Sequence, residues 1–296
     1  MISRIILKSS LPCRNTLPWR SLFSRGLADK PKFDAEMSEM YVIIANQHRH
    51  PQGPWPMILE RAKKHLSSNP SPKILDIASG MGEPALTIAT SLPSAQVVSS
   101  DVSEEMVLKA KSVAETMDNM TAVLANAEDL SQFDTDTFDM VTCCYGYMFA
   151  ENKPQALSES HRVLKPGGTL IATTWDSNDL MSVQRDVMKV VLGRDPPAPL
   201  LNPLSLNEPG LFSKLLADAG FTNITSSTST YPFNLGKDKN FQWKMLTMLY
   251  KDKIAELGAE DTAKHAFFDI VPKYSVIENG DLVIPKNTFM LTVCNK

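Results

Sequence analysis

The run Ile74-Leu75-Asp76-Ile77-Ala78-Ser79-Gly80-Met81-Gly82 constrains this chain more than any other stretch. Its apolar first half reads as a strand over 73–78. Gly80 and Gly82 end that strand in a loop where backbone can turn sharply and approach a ligand. A helix pattern starts at Glu83-Pro84, and proline suits a first helical position because its missing N–H would go unpaired there anyway. A second strand, Gln96 to Ser100, ends in Asp101, an acid that can accept from both hydroxyls of a ribose. Strand, glycine loop, helix, strand and acid in that order describe a βαβ unit built for a nucleoside.

The charges around the loop narrow the ligand. Gly80-Met81-Gly82-Glu83-Pro84-Ala85 meets the dinucleotide spacing G-x-G-x-x-G/A only with Ala85 in the third place. Glu83 puts a negative charge at the helix entrance where a pyrophosphate would sit, and Asp76 adds a second carboxylate just before the loop. Carboxylates suit a cationic ligand. S-adenosylmethionine carries a sulfonium and an α-ammonium group and has no phosphate.

Four ordered pieces extend the pattern. They are the I-L-D-I-A-S-G-M-G loop; Asp101 with Val102, Ser103 and Met106; Asn126-Ala127-Glu128-Asp129-Leu130; and Phe138-Asp139-Met140-Val141 leading through Cys144-Tyr145-Gly146 to Arg162-Val163-Leu164-Lys165-Pro166-Gly167-Gly168. In this order and spacing the chain resembles the class I S-adenosylmethionine-dependent methyltransferases that act on small molecules, over roughly Pro72 to Trp175 and again at the C-terminal strand. The resemblance implies backbone around Ala78 and Gly80 holding the methionine end of the cofactor, with Asp76 and Cys144 beside it and Gly82 letting the helix pack close. It implies Asp101 on the ribose, Val102 and Met106 flanking the adenine, and Asn126 and Ala127 at the adenine edge. Many relatives carry Asp where this chain has Asn126, but an amide oxygen can still accept from the adenine amino group.

The first 28 residues differ in character from the rest. They hold Arg4, Lys8, Arg14, Arg20 and Arg25, several serines and no acid before Asp29. An Arg-rich, Ser-rich, acid-free start with a short amphipathic pattern reads as an organelle import segment, mitochondrial by preference. Without it the chain carries 25 Lys and Arg against 33 Asp and Glu, a net charge of −8 rather than −3. That balance lacks the basic footprint of a nucleic-acid substrate, so a small-molecule acceptor is expected. No apolar run approaches the ~20 residues of a membrane span. Cys143, Cys144 and Cys294 lie in strand-like runs as small hydrophobes, and no Cys/His spacing suggests a metal.

The expected fold is α/β: a doubly wound, Rossmann-like seven-stranded sheet with an antiparallel last strand and a helical cap. Strands are expected at 73–78, 95–100, 120–125, 138–144 and 168–175, alternating with helices. Around this core, 1–28 forms the import segment and 29–70 an N-terminal arm. Residues 71–229 form the cofactor domain, 230–282 a helical cap insertion, and 283–296 the final strand. The Pro-rich stretch 194–209 reads as an irregular lid piece.

Methyl transfer needs the nucleophile held in line and water excluded, with a base only where a proton must leave. The candidate catalytic residues are His48, Tyr145 and Trp175; Arg49, His50 and Tyr147 are candidate substrate contacts. His161 is expected to be structural. The distal Arg162-to-Gly168 motif is similar to that of the ubiquinone/menaquinone C-methyltransferases, but Thr173-Thr174-Trp175 replaces their Glu-x-Ser and their N-terminal signature is missing. Nucleophiles with no proton to lose stay open, such as the sulfur of a thioether acid like methylthiohydroxybutyrate, with Arg49 or Arg194 for its carboxylate. So does a non-catalytic mitochondrial assembly factor, although Asp76, Gly80, Gly82 and Asp101 are all intact. The sequence leaves the oligomeric state open.

Overall fold

A computed structural model describes residues 42–197, 201–247 and 250–296. The expected import segment and the first part of the expected arm lie outside the described residues. Helical residues 42–47 lead into α1 (Pro54–His65), which starts on Pro54 and carries Lys63, Lys64 and His65 in its last turn, where cations favour the helix C-terminus. The core then alternates β1 (Lys73–Ile77), α2 (Ala85–Ser91), β2 (Gln96–Asp101), α3 (Glu104–Ala114), β3 (Met120–Leu124), β4 (Phe138–Cys144), α4 (Lys153–Val163) and β5 (Leu164–Asn178). Ser103 caps α3 by accepting from the Met106 amide, and Asn152 caps α4 by accepting from Gln155.

The strand order is β3-β2-β1-β4-β5-β8-β6, with β6 at Thr222–Asn234 and β8 at Asp281–Asn295. Strands β1 to β5 are parallel, and β8 runs antiparallel between β5 and β6. β4 lies between β1 and β5 and buries Phe138, Met140, Val141, Cys143 and Cys144, as a strand covered on both faces requires. The sheet has eight strands rather than seven, because β7 (Val276–Glu278) folds back on the start of β8. Asn279 and Gly280 make that turn, both with positive φ, a dipeptide suited to a two-residue hairpin.

The region past β5 departs further from expectation. A 14-residue helix, α5 (Asp179–Leu192), leaves the end of β5 with Asn178 accepting from the Met181 amide at its N-cap and left-handed Gly193 at its end. Sequence reading assigned no helix there. After α6 (Leu211–Asp218) and β6, the described part of the expected cap is α-helical between Lys239 and Ile270, as α7 (Lys239–Thr247), α8 (Lys251–Glu256) and α9 (Glu260–Ile270), followed by a 3-10 turn over Val271–Lys273. Its outer parts are strand: β6 runs on to Asn234, and β8 begins at Asp281. α5 packs against α7, α9 and the start of β8, so these helices gather beside the carboxyl ends of the parallel strands. Tyr274 ties the group together by donating to Asp186 of α5 at 2.6 Å. No helix among the described residues is long and apolar enough to cross a membrane.

Candidate active site

The site begins with a buried acid that organises its own loop. Asp76, at the end of β1, is fully buried; its Oδ2 accepts from Ser79 Oγ at 2.6 Å and from the Ala85 amide at 3.1 Å. Its Oδ1 accepts from Thr142 Oγ1, 2.6 Å away on the neighbouring β4. Burial pushes its pKa up to about 7 against the pull of these three donors. Asp76 therefore shapes the glycine loop from beneath, a correction to its assignment as a direct cofactor contact.

The strand ends above it are conformationally strained. Ala78 after β1 and Tyr145 after β4 both hold positive φ, 55° and 59°, which costs a side-chain-bearing residue roughly 1–2 kcal/mol. Gly146 explains why the two turns can meet. A Cβ there would lie 2.5 Å from Cys143 Sγ and 2.6 Å from Ala78 Cβ. Gly80 is also left-handed, and a Cβ on Gly82 would press on Met120 and Ala110, so α3 packs close behind the loop.

Asp101 faces this loop from the end of β2. Its Oδ2 accepts from the Gly80 amide at 2.9 Å and its Oδ1 from the Ser103 amide at 2.9 Å; burial raises its pKa while those amides lower it. A carboxylate has about four acceptor sites, so Asp101 keeps capacity for a ribose hydroxyl beside these amides. Beside it Val102 is 69% exposed, whereas Met106 is buried in the core. Asn126 is exposed and its side chain accepts from the Glu128 amide at 3.0 Å; Ala127 is half-buried next to it. A tight backbone cradle, an oriented carboxylate and an exposed apolar shelf in sequence fit S-adenosylmethionine.

A second cluster starts where this one ends. His48, from the N-terminal arm, is only 4% exposed, and Trp55, Tyr145, Trp175, Tyr231 and Phe233 surround it at ring-centroid distances of 5.1–6.4 Å. Its Nδ1 lies 2.7 Å from the Tyr231 hydroxyl, and that hydroxyl lies 3.2 Å from the hydroxyl of Tyr145. Tyr145 and Trp175 stack face to face at 4.1 Å with an 8° interplanar angle, and Phe289 closes the far side against Tyr145 and Tyr231. Burial lowers the His48 pKa from 6.5 to about 3. A histidine free in the site would titrate near 6.5; this one stays neutral at physiological pH.

A cavity of about 310 Å³ joins the two clusters, touching Ser79, Met81 and Glu83 of the loop, His48 and Arg49 of the arm, and Trp55 and Cys144. Burial raises the Cys144 pKa to about 12, so it meets the cavity as a thiol. Among the described residues no cap helix lines this wall; the cover there comes from the arm.

Three expected substrate contacts come out differently. Arg49 is paired with Glu83, whose other oxygen accepts from Thr87 Oγ1 and the Thr87 amide, and its guanidinium sits 4.8 Å from the Trp55 ring. It links the arm to the glycine loop while still lining the cavity. Tyr147 is buried with its hydroxyl 2.7 Å from Ser160 Oγ on α4, away from the cavity, because the short helical turn 147–149 directs it inward. His50 accepts from the Gln52 amide and stacks over Tyr231 at 6.4 Å, on the outer side of the cluster. His161 packs on Phe221 and Gly220, as a structural residue should. Tyr231, Phe233 and Phe289 went unnoticed in the sequence. The signal for Tyr231 and Phe233 is an aromatic residue at every second position in Tyr231-Pro232-Phe233, Phe289 has none, and nothing local says which site they face.

Comparison with known proteins agrees with this geometry. Residues 74–168 match the methyltransferase domain family. The chain is 37% identical to a demethylmenaquinone methyltransferase of Chlorobaculum tepidum over 109 residues, covering 37% of this chain and 43% of that protein. A ubiquinone/menaquinone biosynthesis C-methyltransferase of Geotalea daltonii is 35% identical over 114 residues, 48% of its length. The chain thus spans about half the length of these relatives. A longer match, to the demethylmenaquinone methyltransferase of Protochlamydia amoebophila, is 31% identical over 189 residues, 56% of this chain and 75% of that protein. Among solved structures, the fold is shared with the YcgJ protein of Bacillus subtilis (TM-score 0.53, 17% identity, covering 80% of this chain and 97% of that one). It is also shared with phosphoethanolamine N-methyltransferase 2 of Haemonchus contortus in complex with S-adenosyl-L-methionine (TM-score 0.54, 17% identity, 95% and 60%). With the glycine loop, the ribose acid and a match across three quarters of a relative, this chain belongs to the class I S-adenosylmethionine-dependent methyltransferases.

Proposed function

We propose that the chain transfers a methyl group from S-adenosylmethionine to a small acceptor held in the cavity beside His48 and its aromatic cluster. The observation that carries this reading is adjacency: one cavity touches both Ser79 of the cofactor loop and His48 of the cluster. When bound, S-adenosylmethionine supplies an electrophilic methyl group for direct displacement. Ala78, Gly80 and Gly146 would hold its amino-acid end, Asp101 its ribose and Val102 its adenine. Trp55, Tyr145 and Trp175 exclude water from the reacting side.

The acceptor best suited to this enclosure is one with no proton to lose, such as a thioether. Methylation makes such an acceptor a cation, and π faces stabilise a desolvated cation by about 0.5–2 kcal/mol each. His48 is neutral here, so it does not oppose that charge. A second reading is ring C-methylation of a quinol. It has the names of the relatives in its favour, and it requires a hydroxyl proton to leave.

Incubating the purified chain with methyl-labelled S-adenosylmethionine and a panel of methylthio acids, tertiary amines and demethylated quinols separates these readings. The expected result is label on sulfur, with a rate that is flat from about pH 6 to 9; label on nitrogen with a rate that rises over this range would point to an amine. Label on ring carbon with a falling acid limb would favour the quinol. Cofactor binding with no labelled product from any acceptor would favour a non-catalytic role. We further propose that residues 1–28 direct mitochondrial import; residues 1–35 fused to a fluorescent reporter should reach the organelle, and a diffuse signal would sink that idea.

A further inference from the structure

The Tyr231 hydroxyl lies within hydrogen-bond distance of both His48 Nδ1, at 2.7 Å, and the Tyr145 hydroxyl, at 3.2 Å, and Tyr231 is 1% exposed. We infer that Tyr231 is a positioning residue that donates its hydroxyl proton to His48 Nδ1, fixing the imidazole with its hydrogen on Nε2 as a hydrogen-bond donor to the acceptor. Only the identity of the recipient rests on the methyl-transfer reading; the tautomer does not.

The direction of the bond follows from acidity. A phenol, with a pKa near 10, is a stronger donor than a neutral imidazole N–H, and an imidazole nitrogen is a better acceptor than a phenol oxygen. The tautomer of a histidine is set by the hydrogen bond its other nitrogen makes. Tyr145 lies where its hydroxyl can donate to Tyr231 in turn, giving a chain of two hydroxyls that strengthens the bond to Nδ1.

The groups facing His48 offer little competition. Tyr145 and Cys144 approach from the end of β4, Tyr231 from β6, and His50 from the arm itself; Trp55, Trp175 and Phe233 supply the remaining rings. The charges that share its cavity are Lys109 and the Arg49–Glu83 pair, and Glu83 is already bonded to Thr87. With Nδ1 bonded to Tyr231, the N–H at Nε2 is the ring donor that His48 has left, and His48 lines the cavity. An acceptor held there needs an oxygen or another lone-pair atom next to its nucleophilic centre.

Long-range proton–nitrogen NMR on the ¹⁵N-labelled full chain tests the assignment, with His48→Gln identifying the signals. The expected spectrum shows His48 with hydrogen on Nε2 and no titration between pH 8 and 5. Hydrogen on Nδ1, or titration near 6.5, would overturn the inference. Tyr231→Phe keeps the ring and removes the hydroxyl. It should mix the two tautomers and lower kcat/KM for the acceptor about tenfold, with cofactor affinity unchanged. Wild-type kcat/KM and an unmixed tautomer in that variant would also overturn it. If the variant does not fold, the wild-type spectrum decides alone. A chain that binds cofactor yet methylates no acceptor would end the catalytic reading, and the spectrum would still uphold or reject the tautomer.

Discussion

The two halves of the carboxyl edge are built by different means. Over β1 and β2 the working surface is backbone: left-handed Ala78 and Gly80, an amide pointed at Asp101, and an acid beneath that holds the loop's shape. Over β4, β5, β6 and β8 it is side chain: His48, Tyr145, Trp175, Tyr231 and Phe289 packed ring against ring. A backbone cradle recognises one ligand shape and tolerates few changes. A cluster of rings can be recut residue by residue, which is how one fold comes to serve different acceptors.

The sharpest way to break this division is at its seam. Gly146→Val would drive a side chain into Cys143 and Ala78 at once. It should abolish cofactor binding, a loss of more than about 100-fold by calorimetry, although Gly146 sits on the acceptor-side strand. Wild-type affinity in that variant would mean that the halves do not share their strained turns.

Acid and base should separate the halves next. His48 has a folded pKa of about 3, below the 6.5 of the unfolded chain, so its contribution is full above pH 6.5 and is lost as pH falls towards 3. Asp76 has a folded pKa of about 7, above the unfolded 3.8, so its contribution is full below pH 3.8 and is lost as pH rises towards 7. Between pH 4 and 6.5 the two oppose each other, each by at most about 1.4 kcal/mol per pH unit. Urea unfolding should show His48→Gln gaining stability relative to wild type as pH falls through that window, and Asp76→Asn losing it. Slopes equal to wild type in both variants would reject the assignment.

Asp101→Ala should weaken cofactor binding by about 1.5–3 kcal/mol, for the loss of hydrogen bonds to a charged group, while leaving the acceptor KM unchanged. An equal change in both constants would blur the comparison. The smallest effect is expected from Arg49→Ala. Its ion pair with Glu83 is half exposed on the arginine side, so its loss should cost no more than about 1 kcal/mol and be hidden by salt. Faster hydrogen exchange in residues 42–50 is the measurement that detects it.

The same contrast explains what could be read from the sequence. The cofactor half was legible because a backbone loop demands particular residues at particular spacings: Gly80, Gly82 and Asp101 sit 21 positions apart or less. The cradle's key glycine, Gly146, was visible only as part of a motif; its reason is a contact with Ala78 across two strands. His48, Arg49 and Trp55 stood out as an unusual cluster, but the partner of Arg49 is Glu83 and that of His48 is Tyr231, and no periodicity links those positions. Tyr147 misled because proximity to Tyr145 in sequence says nothing about direction once a helical turn intervenes. α5 had its signals, a cap at Asn178 and a stop at Gly193, and its apolar face is marked by Leu180, Val183, Val187 and Met188. The β7–β8 hairpin likewise announced itself as Asn279-Gly280.

The chain distances inside the two halves have a consequence of their own. Gly80 and Asp101 are 21 residues apart and Asp76 and Ala85 only 9, so those bonds close short loops. His48 meets Tyr231 across 183 residues, and Tyr145 meets it across 86. Longer closures cost more entropy and form later, because the loop must close before the contact rewards it. The glycine loop can therefore form from local contacts, while the arm and its ring cluster must wait for β6 to arrive. Such a chain builds its nucleoside cradle before it completes the chamber beside it.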